Sequence, residues 1–398
     1  MNIFVINSGS SSIKYQLIDM PGAMVICSGI IDRIGMEDST ILHKVFKDGK
    51  EQDIKKNISI KNPEQGLMEV AKLLTDPLTG VIKDHSAIHI VGHRVVHGGE
   101  NFSATTVITE EVKKKIKQLF PLAPLHNPPN YLGIEIAEKL FPSAKQVAVF
   151  DTAFHQTIQP VAYRYAIPDN FYHKDGIRVY GFHGTSHKYV SKKAIEYLKK
   201  ENSKIITIHL GNGCSMTAVL NGKSFETSMG FGPMNGLIMG TRCGDFDQSA
   251  IFYLVNQLGY DIEKVNTLLN IKSGMIGLTG HSDMREIKEQ IKSGDKEAQL
   301  AYEMYAWRIR KYLGGYTALL NGLDAIVFTG GVGENDSLMR KLCSSNLEYL
   351  GIQLDQYKNE SRLPSLREIN TDNSPVKILV IPTNEELEIA TQCYSLLK

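Results

Sequence analysis

The chain has 398 residues, 44 Lys and Arg against 43 Asp and Glu, and a formal net charge of +1. That length exceeds one comfortable core and predicts two domains, while the near-balanced charge excludes the broad basic footprint of a nucleic-acid binder or of a protein held on an anionic membrane. Five cysteines without CxxC or zinc-ligand spacing, and no stretch of membrane-spanning length, set a reducing compartment, the cytoplasm, as the expectation.

Residues 3–17, IFVINSGSSSIKYQL, read as a strand, a glycine and serine turn, and a returning strand. Small residues let backbone N–H groups approach an anion, the serines add hydroxyls, and Lys14 adds charge, so the turn suits phosphate; a plain hairpin fits the same residues. No GxxxxGK[ST] occurs, and the turn leads to a strand rather than a helix. Helices are predicted at 63–75, at 109–119 behind Thr109 as N-cap, and at 128–140, with strands at 88–91 and 146–150. Lys113, Lys114, Lys115 and Lys117 alternate with Val112, Ile116 and Leu119, which makes them the solvated face of the second helix.

Beyond a predicted helix at 186–200 the opening pattern returns. Placing Gly9 over Gly211 aligns Ile3–Ile6 with Ile205–Ile208, then a polar glycine turn (GNGCS, 211–215), then a strand Met216–Leu220. Two such units predict duplicated α/β domains with their phosphate turns facing one cleft. Further helices are predicted at 247–258, 282–292 and 296–321, and a strand at 325–329. The terminal EELEIATQCYSLLK is helical and is expected to return to the first domain, giving domains 1–150 plus 386–398, and 151–385.

Chemistry concentrates at predicted strand ends, where open α/β sheets bind ligands: GHRVVHGGE (92–100), VFDTAFH (149–155), YGFHGTSH (180–187) and GTRCGDFD (240–247). Arg94 and Arg242 sit beside glycines, placed to grip a carboxylate or phosphoryl group through paired hydrogen bonds, or to make surface ion pairs. Asp151 follows a strand, free to hold a metal water, orient an arginine, move a proton or cap a turn. His183 is one of twelve histidines, and the residues alone do not set it above His97, His155 or His187 as a donor to a phosphoryl oxygen. FTGGVGEND (328–336) suits close approach of a nucleoside, and Asn384, Glu385 and Glu386 either serve a divalent cation or form an acidic first helical turn.

In this order, NSGSSSIKYQL, GHRVVHGGE, PLAPLHNP, FDTAFHQT, YGFHGTSHKYVS, HLGNG, MGTRCGD, FTGGVGEN and IPTNEEL resemble the acetokinase family from residue 3 to about 390. The resemblance implies two duplicated ribonuclease-H-like domains, as in actin-like ATPases, with an interdomain nucleotide cleft. It implies reversible phosphoryl transfer between ATP and acetate, giving acetyl phosphate and ADP, with Mg2+ or Mn2+, in a homodimer without nucleic-acid or membrane partners. By motif, Asn7 and Glu385 support the metal, and Ser10, Ser12 and Lys14 belong with the phosphates. Arg94 and Arg242 hold acetate and the moving phosphoryl, and Asp151 and His183 complete the catalytic group. His209, Leu210, Gly211, Asn212 and Gly213, then Asp283, Met284 and Arg285, then Gly331, Val332, Gly333, Glu334 and Asn335 contact ATP. Val96, Leu125, Phe182 and Pro233 correspond to the pocket around the acetate methyl.

A carboxylate acceptor is already ionised at pH 7, so Asp151 is expected to order an arginine or the magnesium shell rather than remove a proton. Gly232, Asn235 and Gln248 depart from the family pattern and bear on acyl-chain preference, leaving a propionate or butyrate kinase as the near alternative. An actin-like or Hsp70-like ATP-driven switch is the alternative of another class; it has no need of the two arginines and His183. A sugar kinase would need Asp151 as a base for a neutral hydroxyl.

Overall fold

The computed structural model describes residues 1–47, 49–361 and 363–398. These divide into one unit of Met1–Phe154 with Asn384–Lys398 and a second of His155–Thr383. Relative to the expected limits, Asp151 and Glu385 pass to the first unit. The reason is local bonding: the Asp151 N–H donates to the Val95 carbonyl at 3.0 Å, continuing a sheet ladder. Glu385 opens the last helix, Glu385–Leu397, whose N-cap Asn384 accepts from the Leu387 N–H at 2.9 Å. No helix among the described residues is long and apolar enough to cross a membrane.

The first unit holds strands β1 (Asn2–Ser8), β2 (Ser12–Asp19), β3 (Met24–Asp32), β4 (Thr40–Lys47), β5 (Lys50–Asn57), β6 (Ile90–Val95), β7 (Thr106–Val107) and β8 (Lys145–Phe150). Their order is β5-β4-β3-β2-β1-β6-β8-β7, antiparallel from β5 to β1 and parallel through β1, β6 and β8. Strand β5, KEQDIKKN, is polar on both faces and carries no alternation for periodicity to detect; its lysines suit an edge that must not pair further. On β1, Phe4 and Ile6 join a core with helices Pro63–Leu74 and Asn127–Leu140, while Ile3 and Val5 join Ile389, Ala390 and Cys393 of the last helix. Gly92 makes that second contact close, since a Cβ there would lie 2.9 Å from Cys393 Sγ.

The second unit repeats the plan with β9 (Lys204–Leu210), β10 (Cys214–Leu220), β11 (Lys223–Thr227), β12 (Ala325–Thr329), β13 (Arg367–Glu368) and β14 (Lys377–Val380), in the order β11-β10-β9-β12-β14-β13. The strands β11, β10, β9, β12 and β14 thus match β3, β2, β1, β6 and β8 in order and direction. The two hairpins differ by one residue. Four residues separate the paired Ser8 and Ile13, with the Gly9 N–H donating to the Ser12 carbonyl at 2.8 Å; three separate Leu210 and Cys214, with the Gly211 N–H donating to the Gly213 carbonyl at 3.1 Å. Ser215, not Met216, therefore stands opposite His209 as Lys14 stands opposite Asn7.

Caps and charges follow local chemistry. The Thr109 side chain accepts from the Val112 N–H at the start of helix Glu110–Gln118. In that helix Lys113 pairs with Glu110 and Glu138, Lys115 pairs with Glu111, and Lys117 lies over the Tyr131 ring. Gln248 is the first residue of helix Gln248–Asn256 after the N-cap Asp247, so its departure from the pattern of the resembled family falls on a helix start.

Candidate active site

Strand register alone assembles the charged group of the first unit. Val5, Gly92 and Val147 are paired neighbours across β1, β6 and β8, so Asn7 and Arg94, each two residues further on, and Asp151, four residues beyond Val147, emerge on the same face. The last helix covers that face and presents Glu385 from its first turn. Asp151, 1% exposed, accepts on Oδ2 from Arg94 Nε at 3.0 Å and Nη2 at 2.5 Å; Arg94 Nη1 donates to Asn7 Oδ1 at 3.2 Å, and Glu385 Oε2 lies 3.8 Å from Arg94 Nε.

Burial by itself lowers the Arg94 pKa, but the Asp151 and Glu385 carboxylates outweigh it and hold the guanidinium above its ordinary value. For Glu385, whose side chain keeps 21% of its surface open, burial pushes the carboxyl up to about 7; Arg94 opposes that rise, and Asp151 and Glu386 add to it. Asn7, Asp151 and Glu385 offer oxygen donors only, which fits a hard divalent cation. Among the described residues no three His, Cys, Asp or Glu groups form a metal cage; one or two protein oxygens beside phosphate oxygens and water are the usual Mg2+ shell.

In the second unit, His183 stands immediately before helix Gly184–Leu198 with φ +56°, a left-handed conformation that costs a non-glycine residue about 1 kcal/mol or more. That backbone turns its ring onto the β9–β10 hairpin, where it stacks on His209 with centroids 4.5 Å apart and places Nδ1 2.8 Å from Ser215 Oγ. The Gly213 backbone runs past it: a Cβ there would meet His183 Nε2 at 3.3 Å and Arg242 Nη1 at 3.7 Å. Arg242 Nη1 also donates to the Pro233 carbonyl at 3.2 Å, and burial lowers the guanidinium pKa. The residues expected to act, His183, Gly213 and Arg242, thus converge within one unit.

Other expected residues are placed as follows. Ser10 and Lys14 are exposed and Ser12 half-buried at the first hairpin, and Val96 is buried while Leu125 is 66% exposed. In the second unit Phe182 is buried and Pro233 half-buried. Leu210 is buried beneath the second hairpin, Gly211 half-buried, and the Asn212 side chain exposed over Gly240, where a Cβ would meet its Oδ1. Asp283 caps helix Met284–Lys292 and is gripped by Arg285, itself 87% exposed, while Met284 is buried. Gly331, Val332, Gly333, Glu334 and Asn335 lie in the short helix Gly330–Asn335. There Glu334 Oε1 accepts from the Gly330 and Thr383 backbone N–H groups at 3.0 and 3.2 Å, a brace for the turn. Sequence reading passed over Ser215, His187 and Thr207 as partners of His183, and Ser186, whose Oγ lies 2.8 Å from His209 Nδ1. The echo was the available signal, once its hairpin is shortened by one residue.

The acetokinase family model matches residues 2–391. Acetate kinase of Flavobacterium johnsoniae is 61% identical over the whole of both chains. Among solved structures, acetate kinase of Porphyromonas gingivalis superposes with TM-score 0.92 at 42% identity over the whole of both chains. A propionate kinase from Francisella tularensis gives 0.92 at 42% identity over 98% of each. The fold is the duplicated ribonuclease-H-like architecture, and the chain is an enzyme of the kinase class. It belongs to the acetokinase family.

Proposed function

We propose that this enzyme transfers the γ-phosphoryl group of ATP to acetate, reversibly and with Mg2+, giving acetyl phosphate and ADP. The observation that carries the reading is the full-length 61% identity to an acetate kinase. The charged groups of both units support it. Acetate is ionised at neutral pH, so the enzyme's task is to bring two anions together and spread charge, and arginines suit that task.

Arg94 and Arg242 bind the acetate carboxylate and the transferring phosphoryl oxygens, and His183 donates to a phosphoryl oxygen. Asp151 engages Arg94 on Nε and Nη2, which supports its role as the group that orients this guanidinium rather than as a base. Asn7 and Glu385 hold Mg2+, whose chemistry is to neutralise phosphate charge. Ser10, Ser12 and Lys14 meet the phosphates, and the segments at 209–213, 283–285 and 331–335 meet the nucleotide. Val96, Leu125, Phe182 and Pro233 surround the methyl group. The same reading includes a cytoplasmic homodimer, for which light scattering is the check.

Hydroxylamine trapping with ATP, Mg2+ and acetate, propionate or butyrate tests the proposal, with glycerol and glucose in a coupled ADP assay beside it. Acyl hydroxamate formed from acetate in preference to longer acids supports it. Preference for propionate favours the second reading, which the equal likeness to the propionate kinase structure keeps in view. ADP released without an acceptor would instead indicate an ATP-driven switch.

A further inference from the structure

His183 ends a chain of three buried groups. Thr207 Oγ1 lies 2.7 Å from His187 Nδ1, His187 Nε2 lies 2.7 Å from Ser215 Oγ, and Ser215 Oγ lies 2.8 Å from His183 Nδ1. Thr207, His187 and Ser215 are fully buried, and none is among the residues assigned above to acetate, nucleotide or metal. Strand register puts them together: Thr207 and His209 on β9 and Ser215 and Thr217 on β10 are cross-strand pairs on one face, under the helix that carries His187 and starts just after His183.

Each hydroxyl has one proton to give, so the direction of one bond sets the direction of all. Burial, with His155 and His209 nearby, holds His187 well below the usual histidine range, so its ring carries a single N–H. The far end decides which nitrogen bears it. The Thr207 hydroxyl also donates to the Thr217 carbonyl at 3.3 Å, and a carbonyl only accepts. With that bond made, Thr207 Oγ1 accepts from His187 Nδ1–H, His187 Nε2 accepts from the Ser215 O–H, and Ser215 Oγ accepts from His183 Nδ1–H. The reverse direction forfeits the Thr217 bond and leaves one hydrogen bond fewer in a dry site.

We propose that Ser215, His187 and Thr207 are positioning residues that fix neutral His183 as its Nδ1–H tautomer and aim Nε2 toward the side of Gly213 and Arg242. The proposal rests on the reading of His183 as a phosphoryl contact. It has a consequence for that contact: in the Nδ1–H tautomer Nε2 is the acceptor nitrogen of the ring, and only a doubly protonated ring donates from it to a phosphoryl oxygen. Taking that second proton leaves the Nδ1–H bond to Ser215 and the rest of the chain undisturbed. Among the described residues of this unit, His209 from β9 stacks on the ring, Arg242 lies across Gly213 from it, and His187 reaches it through Ser215.

Long-range 1H–15N correlation spectra of full-length protein labelled at histidine nitrogen test the assignment, with His183→Gln identifying the resonances. The expected result is a neutral His183 protonated on Nδ1 in the parent. Ser215→Ala and the isosteric Thr207→Val, which touches neither His183 nor substrate, should both shift it toward Nε2–H. Turnover should fall about tenfold in Ser215→Ala and less in Thr207→Val, with the KM values for acetate and ATP within about twofold. An Nε2–H tautomer in the parent, or unchanged His183 resonances in folded Thr207→Val, overturns the proposal. If Ser215→Ala does not fold, Thr207→Val decides alone. A parent enzyme that makes no acyl hydroxamate defeats the functional reading instead, and leaves the spectroscopic result standing.

Discussion

Replacing Asp151 by Asn removes one charge, and little volume, from a buried ion pair of the first unit. Asp151 Oδ2 accepts from two nitrogens of Arg94, a pair with 1% and 19% of the side chains exposed. Both bonds end on Oδ2, so an amide oxygen turned to that position still accepts them from the cation, but without the carboxylate's charge. Losing the carboxylate charge from this ion pair costs about 2–3 kcal/mol of orientation. If Arg94 acts in the transition state, kcat/KM for acetate falls roughly 30- to 150-fold. Folding stability should fall by about 2 kcal/mol, less than the full cost of an orphaned buried charge, because Glu385 at 3.8 Å remains as a partner. Urea unfolding and the hydroxamate assay measure the two quantities. The decisive comparison is a double-mutant cycle. When Asp151 acts through Arg94, adding Asp151→Asn to Arg94→Ala costs little more than Arg94→Ala alone. Additive losses would show that Asp151 acts independently, as a base or on the metal, and a small loss of rate with unchanged Mg2+ dependence would refute its role altogether.

Arg242→Ala should chiefly lower turnover, by about 100- to 1,000-fold, with a smaller change in the KM for acetate; steady-state kinetics with both substrates varied provide the check, and unchanged kinetics remove Arg242 from the mechanism. The Glu385 carboxyl is raised in the native state to about 7 from an ordinary value near 4.5, so the folded protein binds more protons than the unfolded chain between those values, and this group's contribution falls as pH rises through them. Glu385→Gln should therefore gain stability relative to the parent between pH 5 and pH 8, by about 2 kcal/mol or less, while requiring more Mg2+ for half-maximal rate; parallel urea midpoints across that range would contradict the assignment. Gly29→Ala would put a Cβ 2.3 Å from Tyr15 Oη, whose hydroxyl lies 2.8 Å from the buried His43 Nδ1. A loss of about 2–4 kcal/mol is expected in urea unfolding, with kcat/KM of the folded fraction unchanged.

Particular residues show how much was legible before the fold was known. Apolar periodicity and Thr109 located the helix Glu110–Gln118, and the echo of Ile3–Ile6 in Ile205–Ile208 located two copies of one hairpin. Asn7, Arg94 and Asp151 were each visible at a strand end, and strand alternation puts all three on one face once the register of β1, β6 and β8 is given. Strands β3, β4 and β5 have no counterpart among the sequence expectations; in β5, with Ile54 its one apolar residue, there is no apolar alternation to read. The resemblance placed Glu334 among the nucleotide contacts, and no local pattern shows that its carboxylate also accepts from the backbone N–H of Thr383, nearly fifty residues away.

Composition, periodicity, caps and turn residues act over a few neighbours along the chain, so the two hairpins, the strands at 88–91, 146–150 and 325–329 and the longest helices could be drawn from residue order. Which nitrogen of Arg94 meets Asp151, how Glu385 comes to share its field, and how Thr207 reaches His183 through His187 and Ser215 are matters of register between strands and of a single residue's length in a turn. A shift of one residue reverses every side chain on a strand, and hydrogen bonds lapse within less than 1 Å. Those contacts were decided only when the chain folded.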